Sequence, residues 1–167
     1  MKITIENYTE HCLKTWGGEN QKERAELGII GELGEVAEVL KKYLRGDFDE
    51  VERDKRLLKE LGDVLYYIAI DIHLLDMTYD FVEELQSYDK HEIHEMCHWY
   101  REDSTTELII KCTSNIFTPS WDTLSNFIVL LTRFKFSIEQ VMQANIEKLA
   151  KRAENGLIQG DGDNRGE

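Results

Sequence analysis

The chain has 167 residues, 33 of them acidic and 20 basic, for a formal charge of −13, and 41% of its residues are apolar. That size suits one domain, residues 1–167, with a sizeable core, and the acidic balance excludes nucleic acid as a partner, since a phosphate backbone needs a basic footprint. No apolar run approaches the roughly 20 residues that cross a bilayer, and Cys12, Cys97 and Cys112 are too few and too scattered for a disulfide framework.

The N-terminus has no signal-peptide core, so a reducing, cytoplasmic setting is expected. A single proline and few glycines before the tail favour long helices, and nothing reads as a series of strands. The expected fold is all-α, an antiparallel helical bundle. Residues 5–16 read as a short amphipathic helix stopped by Gly17-Gly18. Thr15 and Trp16 at its end have two readings: Trp16 is a core anchor, or it lines a pocket in which its face stacks on a nucleobase. A second helix runs from about 20 to 45, with Ile29, Leu33, Val36, Leu40 and Leu44 as its apolar stripe. Gly28, Gly31 and Gly34 lower its propensity and imply close packing by a helix or a ligand. Lys41, Lys42 and Arg45 complement its C-terminal dipole. Residues 46–51 make a turn short enough to force antiparallel neighbours. A third helix, about 52–75, carries Leu57, Leu61, Val64, Ile68 and Ile72 and is apolar nearly all round after Asp63, so it should be the most buried.

Both long helices carry the same pattern beside their stripes: Glu32-Leu33-Gly34-Glu35 in the second and Glu60-Leu61-Gly62-Asp63 in the third. At about 100° per residue, Glu32 lies at the margin of its stripe and Glu35 about 60° further round. A buried carboxylate without a partner costs several kcal/mol or takes up a proton. Hard divalent cations remove that cost, and facing helices bearing i, i+3 acids are one way to hold them. The plain alternative is a solvated acidic face, where Glu38, Glu50 and Glu52 belong.

These residues resemble the paired motif of the MazG-type, all-α nucleoside triphosphate pyrophosphohydrolases. The flanking words Gly-Glu-Leu-Gly-Glu-Val-Ala-Glu and Lys-Glu-Leu-Gly-Asp-Val-Leu-Tyr-Tyr carry the likeness over residues 25–75, and Ala144-Asn145-Ile146-Glu147-Lys148-Leu149-x-x-Arg152 is similar to the family's closing helix. The resemblance implies Mg²⁺, with Mn²⁺ as a substitute, held by Glu32, Glu35, Glu60 and Asp63. It implies cleavage of an NTP or dNTP to the monophosphate and pyrophosphate, Lys42 facing substrate phosphate, and a homodimer or dimer of dimers. Many relatives have a further acid where this chain has Gly31, which leaves the number of metals open.

Residues 76–119 depart from a compact family member and read as an inserted helical excursion; residues 76–104 alone hold nine acids and two bases, −7 of the −13. This segment contains His94-Glu95-Met96-Cys97-His98, a formal His-Glu-x-x-His zinc motif. It lacks a third ligand and a substrate-binding strand, so a plain solvated helix or incidental metal binding with His91 competes with a zinc hydrolase. Thr118-Pro119 restarts the chain, and residues 119–134 follow with Trp121, Leu124, Phe127, Ile128 and Leu131 on one face. Ser137 to Gln140 is a capping-box start for the last helix. Asn145, Lys148 and Arg152 share one face at i, i+3 and i+7, as ordinary surface polarity or, on the resemblance, as phosphate and base contacts. Residues 156–167, rich in Gly and Asp, form a flexible tail. Two rival functions stand beside the pyrophosphohydrolase: a hydrolase of other nucleotides on the same scaffold, and a catalytically silent helical binding module that keeps the metal site for structure.

Overall fold

A computed structural model describes residues 3–76, 98, 102–114 and 121–154, and every element among them is helical. The elements are α1 (Ile5–Leu13), α2 (Gln21–Arg45), α3 (Glu50–Leu74), α4 (Thr105–Ser114), α5 (Trp121–Arg133) and α6 (Ile138–Glu154). The all-α reading holds. His91, His94, Glu95, Cys97, the Thr118-Pro119 restart and the tail lie outside the described residues, while His98 is helical and exposed.

Several helix ends lie where local chemistry directs. Thr4 and Asn7 exchange the two hydrogen bonds of a capping box at α1. Gly46, at φ 88°, ends α2: its N–H donates to the Tyr43 carbonyl at 2.9 Å and Asp47 N–H to the Lys42 carbonyl at 3.1 Å, the left-handed stop that glycine adopts without a Cβ clash. Three residues later Asp49 accepts from Glu52 N–H at 2.9 Å and opens α3. Ser104 with Glu107 and Ser137 with Gln140 cap α4 and α6 in the same reciprocal way. The expected start of the last helix at Ser137 is therefore met, whereas α1 ends three residues before Trp16 and leaves that side chain on the loop.

α2 and α3 form an antiparallel hairpin, the most extensive pairing among the described helices, and α1 and α6 both lie against α3. α4 and α5 pair as a second hairpin whose α4 leans on α2. Arg53 closes the turn end of the α2–α3 hairpin: its guanidinium lies 4.7 Å from the Tyr43 ring centre and 5.8 Å from that of Phe134, with Glu50 and Asp54 as ion-pair partners. The core takes Ile29, Leu33 and Val36 from α2 and Leu57, Leu61, Val64, Leu65, Ile68, Ile70 and Ile72 from α3. As expected, α3 is the most buried helix after Asp63. Leu124, Phe127, Ile128 and Leu131 form the buried face of α5.

The three glycines of α2 differ. A Cβ on Gly28 would sit 2.4 Å from the Tyr67 ring, so glycine there admits an aromatic side chain against the helix; Gly31 and Gly34 meet nothing within 4 Å. Of these three, close packing is thus true of Gly28 alone. Gly28→Ala should cost about 1–3 kcal/mol through overpacking, read as a lower denaturation midpoint at unchanged helical signal.

Asp71 is 4% exposed on α3, and its Oδ1 has no hydrogen-bond partner among the described residues. Burial, then the Glu26 charge across on α2, raises its pKa to about 6, with Lys22 pulling the other way. The folded state therefore holds a proton that the unfolded chain releases nearer pH 4. That stabilisation is complete below pH 4 and disappears as pH rises through 6. Asp71→Asn should remove the slope of stability between pH 4 and 6 and leave the variant about 1–2 kcal/mol more stable at pH 8, measured by urea denaturation across pH.

Candidate metal centre and anion-binding rim

The antiparallel register sets Glu32 of α2 opposite Glu60 and Asp63 of α3. One carboxylate oxygen from each lies within 4.8 Å of the other two. Glu60 is 7% exposed and Asp63 8%. Glu60 Oε2 is buried with no hydrogen-bond partner among the described residues, an acceptor that a cation would satisfy. Opposite oxygens of an octahedral Mg²⁺ stand about 4.2 Å apart, so this oxygen-only set fits a hard divalent ion after a small closure. The acids that the two repeated words place beside apolar stripes are indeed brought together, with one exception. Glu35, turned about 60° from Glu32 round the helix, is exposed and outside the group.

Asp63 is held at both carboxylate oxygens. Its Oδ1 accepts from Asn145 Nδ2 at 3.1 Å and its Oδ2 from the Lys148 ammonium. Asn145, 2% exposed on α6, in turn accepts at Oδ1 from the Tyr8 hydroxyl at 3.0 Å. A carboxylate only accepts, so Asn145 must turn its amide nitrogen to Asp63 and its oxygen to Tyr8. Burial drives the Tyr8 pKa well above the ordinary phenol value, which keeps the hydroxyl a donor. This run of hydrogen bonds ties α1, α6 and α3 to one carboxylate. Gly62 allows it: a Cβ there would lie 3.1 Å from Asn145 Cβ, so α6 can approach α3 closely at this level.

Basic groups border the acids. Lys148 is largely buried, and that burial lowers its pKa despite the raising effect of Asp63; Arg152 and Lys59 also lower it. Lys59 and Arg152 therefore both stand within electrostatic reach of Lys148. Lys59 Nζ donates to Glu60 Oε1 at 3.3 Å. Lys42 does not join them. It pairs with Glu38 at 3.5 Å, ten residues from Glu32 and so about 15 Å along the helix.

Next to the acids on α3 stands an aromatic group. The Trp16 ring centre is 6.3 Å from that of Tyr66 and 6.0 Å from that of Tyr67, edge to face, and the Arg24 guanidinium lies 4.7 Å from the indole centre. Trp16 packs against the core while its Nε1 is buried with no partner among the described residues. The anchor reading of Trp16 is met, and the orphaned donor is the feature that a pocket reading would use. Thr15 and Tyr66 share a 2.9 Å hydroxyl contact. Four contributors were missed by sequence reasoning: Tyr8, Lys59, Tyr66 and Tyr67. The tyrosine pair directly after the acid motif was a visible signal for the last two. Tyr8 had none, because its role depends on a contact 137 residues away in the chain.

Residues 20–82 match the family model of the MazG nucleotide pyrophosphohydrolase domain. That span contains all of the acids above, together with Lys59, Tyr66 and Tyr67. The chain is also similar to the Gene 37 protein of Mycobacterium phage L5, 37% identical over 68 residues, which is 36% of this chain and 60% of that protein. The chain thus covers less than two thirds of that relative's length. No solved structure matches.

Proposed function

We propose, on the premise that residues 20–82 carry a MazG nucleotide pyrophosphohydrolase domain, that this protein hydrolyses a nucleoside triphosphate to the monophosphate and pyrophosphate. The observation that carries the reading is the group of half-buried Glu32 with buried Glu60 and Asp63, set between two helices with an acceptor of Glu60 left over. These three would hold Mg²⁺ or Mn²⁺. Exposed Glu35, one turn along α2, is a fourth carboxylate available at the rim. When bound, the cation would supply Lewis acidity and a water of lowered pKa beside the phosphates.

The chain's own residues would do the rest. Lys148 and Arg152 offset charge on the triphosphate, while Asn145 holds Asp63 in one orientation. Water adds to the α-phosphorus as the bond from that phosphorus to the bridging oxygen breaks, and pyrophosphate departs. The water's proton passes to a carboxylate of the group. Trp16, packed edge to face on Tyr66 and Tyr67 one turn after Asp63, would offer an aromatic face to the base. Exposed Leu27 and Ile30 on the outward face of α2 support a homo-oligomer, and a cytoplasmic setting fits two buried free cysteines.

The test is pyrophosphate release from a panel of canonical and modified NTPs and dNTPs. At least one substrate should turn over with Mg²⁺ and stop when EDTA is added. Silence across the panel from folded, cation-binding protein would favour the catalytically silent binding module.

A further inference from the structure

Glu60 and Asp63 each already carry an ammonium group. Lys59 Nζ lies 3.3 Å from Glu60 Oε1, and Lys148 donates to Asp63 Oδ2. Both acids belong to α3, and both lysines stand near enough for Lys59 to depress the Lys148 pKa. Glu60 thus has one oxygen on a lysine and the other buried without a partner among the described residues. A divalent cation entering between these carboxylates would meet the two ammonium groups head-on, since like charges a few ångströms apart repel strongly in a partly buried site. The lysines differ in freedom. The Lys59 side chain is 50% exposed and the Lys148 side chain 15%. Lys59 can therefore leave for solvent or for another anion by turning its own side chain, with no movement of the helix.

We propose that Lys59 and Lys148 are place-holding cations: they compete with the divalent ion for Glu60 and Asp63, and once displaced they are handed to the phosphates of the incoming nucleotide. This gives Lys59 a role in substrate binding beside Lys148 and Arg152. The phosphate half rests on the pyrophosphohydrolase reading. The competition half rests on the ion pairs alone.

Mn²⁺ binding to the nucleotide-free full chain, followed by the electron-spin signal of the free ion, tests the competition. Lys59→Met should bind Mn²⁺ roughly two- to five-fold tighter than wild type, the size of effect an exposed ion pair carries. Lys148→Met should tighten it further. Lys55→Met removes the same charge from α3 at a lysine paired with Glu52, and should leave Mn²⁺ affinity unchanged. At saturating Mn²⁺, Lys59→Met should also weaken binding of a triphosphate analogue carrying a methylene bridge between the α and β phosphorus. Unchanged or weaker Mn²⁺ binding in Lys59→Met, or equal tightening in Lys55→Met, would overturn the competition. Tighter Mn²⁺ binding with undiminished analogue affinity would overturn the hand-over to phosphate. If wild type binds Mn²⁺ and no nucleotide, the pyrophosphohydrolase reading fails while the competition between lysine and cation is still decided by the first arm.

Discussion

Asp63→Asn should reduce pyrophosphate release by roughly a thousand-fold or more, the scale on which removing one electrostatic element from an active site acts, and should leave the fold intact. Asp63 donates nothing and accepts everything: Asn145 at one oxygen, Lys148 at the other, and in the proposed reaction the cation between them. An asparagine keeps the shape but presents an amide nitrogen to at least one of these donors. It also lowers the charge of the group by one unit, so cation affinity should fall with turnover. The measurement pairs steady-state pyrophosphate release with Mn²⁺ binding and a thermal melt. A variant that melts with wild type, binds the ion weakly and fails to turn over matches the expectation. Full turnover would remove Asp63 from the centre.

Asn145→Ala carries the second large effect, and it acts on stability and activity together. Asn145 is 2% exposed and is the only described link between the Tyr8 hydroxyl and Asp63. Truncation leaves the hydroxyl with a 3.5 Å approach to the Gly62 carbonyl, strips one donor from Asp63 and opens a small void. The expected cost is about 2–4 kcal/mol of unfolding free energy, with cation affinity or turnover down by roughly 10–100-fold, as for a lost orienting partner of a ligand. Tyr8→Phe separates the two effects. It removes the same hydrogen-bond run at its far end and leaves Asn145 to bond Asp63, so activity should suffer less than in Asn145→Ala. If Tyr8→Phe were the more damaging to activity, the direct Asn145–Asp63 bond would not be what orients the carboxylate.

What could be read in advance follows from which contacts are local. The hairpin of α2 and α3 was legible because its apolar stripes, its Gly46 stop and its Asp49 start are all encoded within a few residues. Repeating one acid word on both arms of that hairpin made Glu32, Glu60 and Asp63 visible, and their meeting needs only an antiparallel register. Glu35 shows the limit. A spacing of three places a side chain about 60° round the helix, and whether that direction is inside or outside depends on where the neighbouring helix lies. Lys42 is placed away from the acid group for a related reason: it is basic and on the same helix as Glu32, but four residues from Glu38, which takes it as an i, i+4 partner. Asn145 and Lys148 were found by likeness to a closing helix, and only the approach of α6 at Gly62 explains why they reach Asp63. Asp71 lay unnoticed because the run of apolar neighbours around it conceals that a carboxylate is buried among them.

The products of hydrolysis reveal which phosphorus the water attacks. A triphosphate that the protein hydrolyses with Mg²⁺ should be turned over in water enriched in ¹⁸O and the products resolved by mass. Pyrophosphate and a nucleoside monophosphate that carries the ¹⁸O are the predicted products, because water adds to the α-phosphorus. Orthophosphate with a nucleoside diphosphate, or label found in pyrophosphate, would contradict the assignment of Glu32, Glu60 and Asp63 to this reaction.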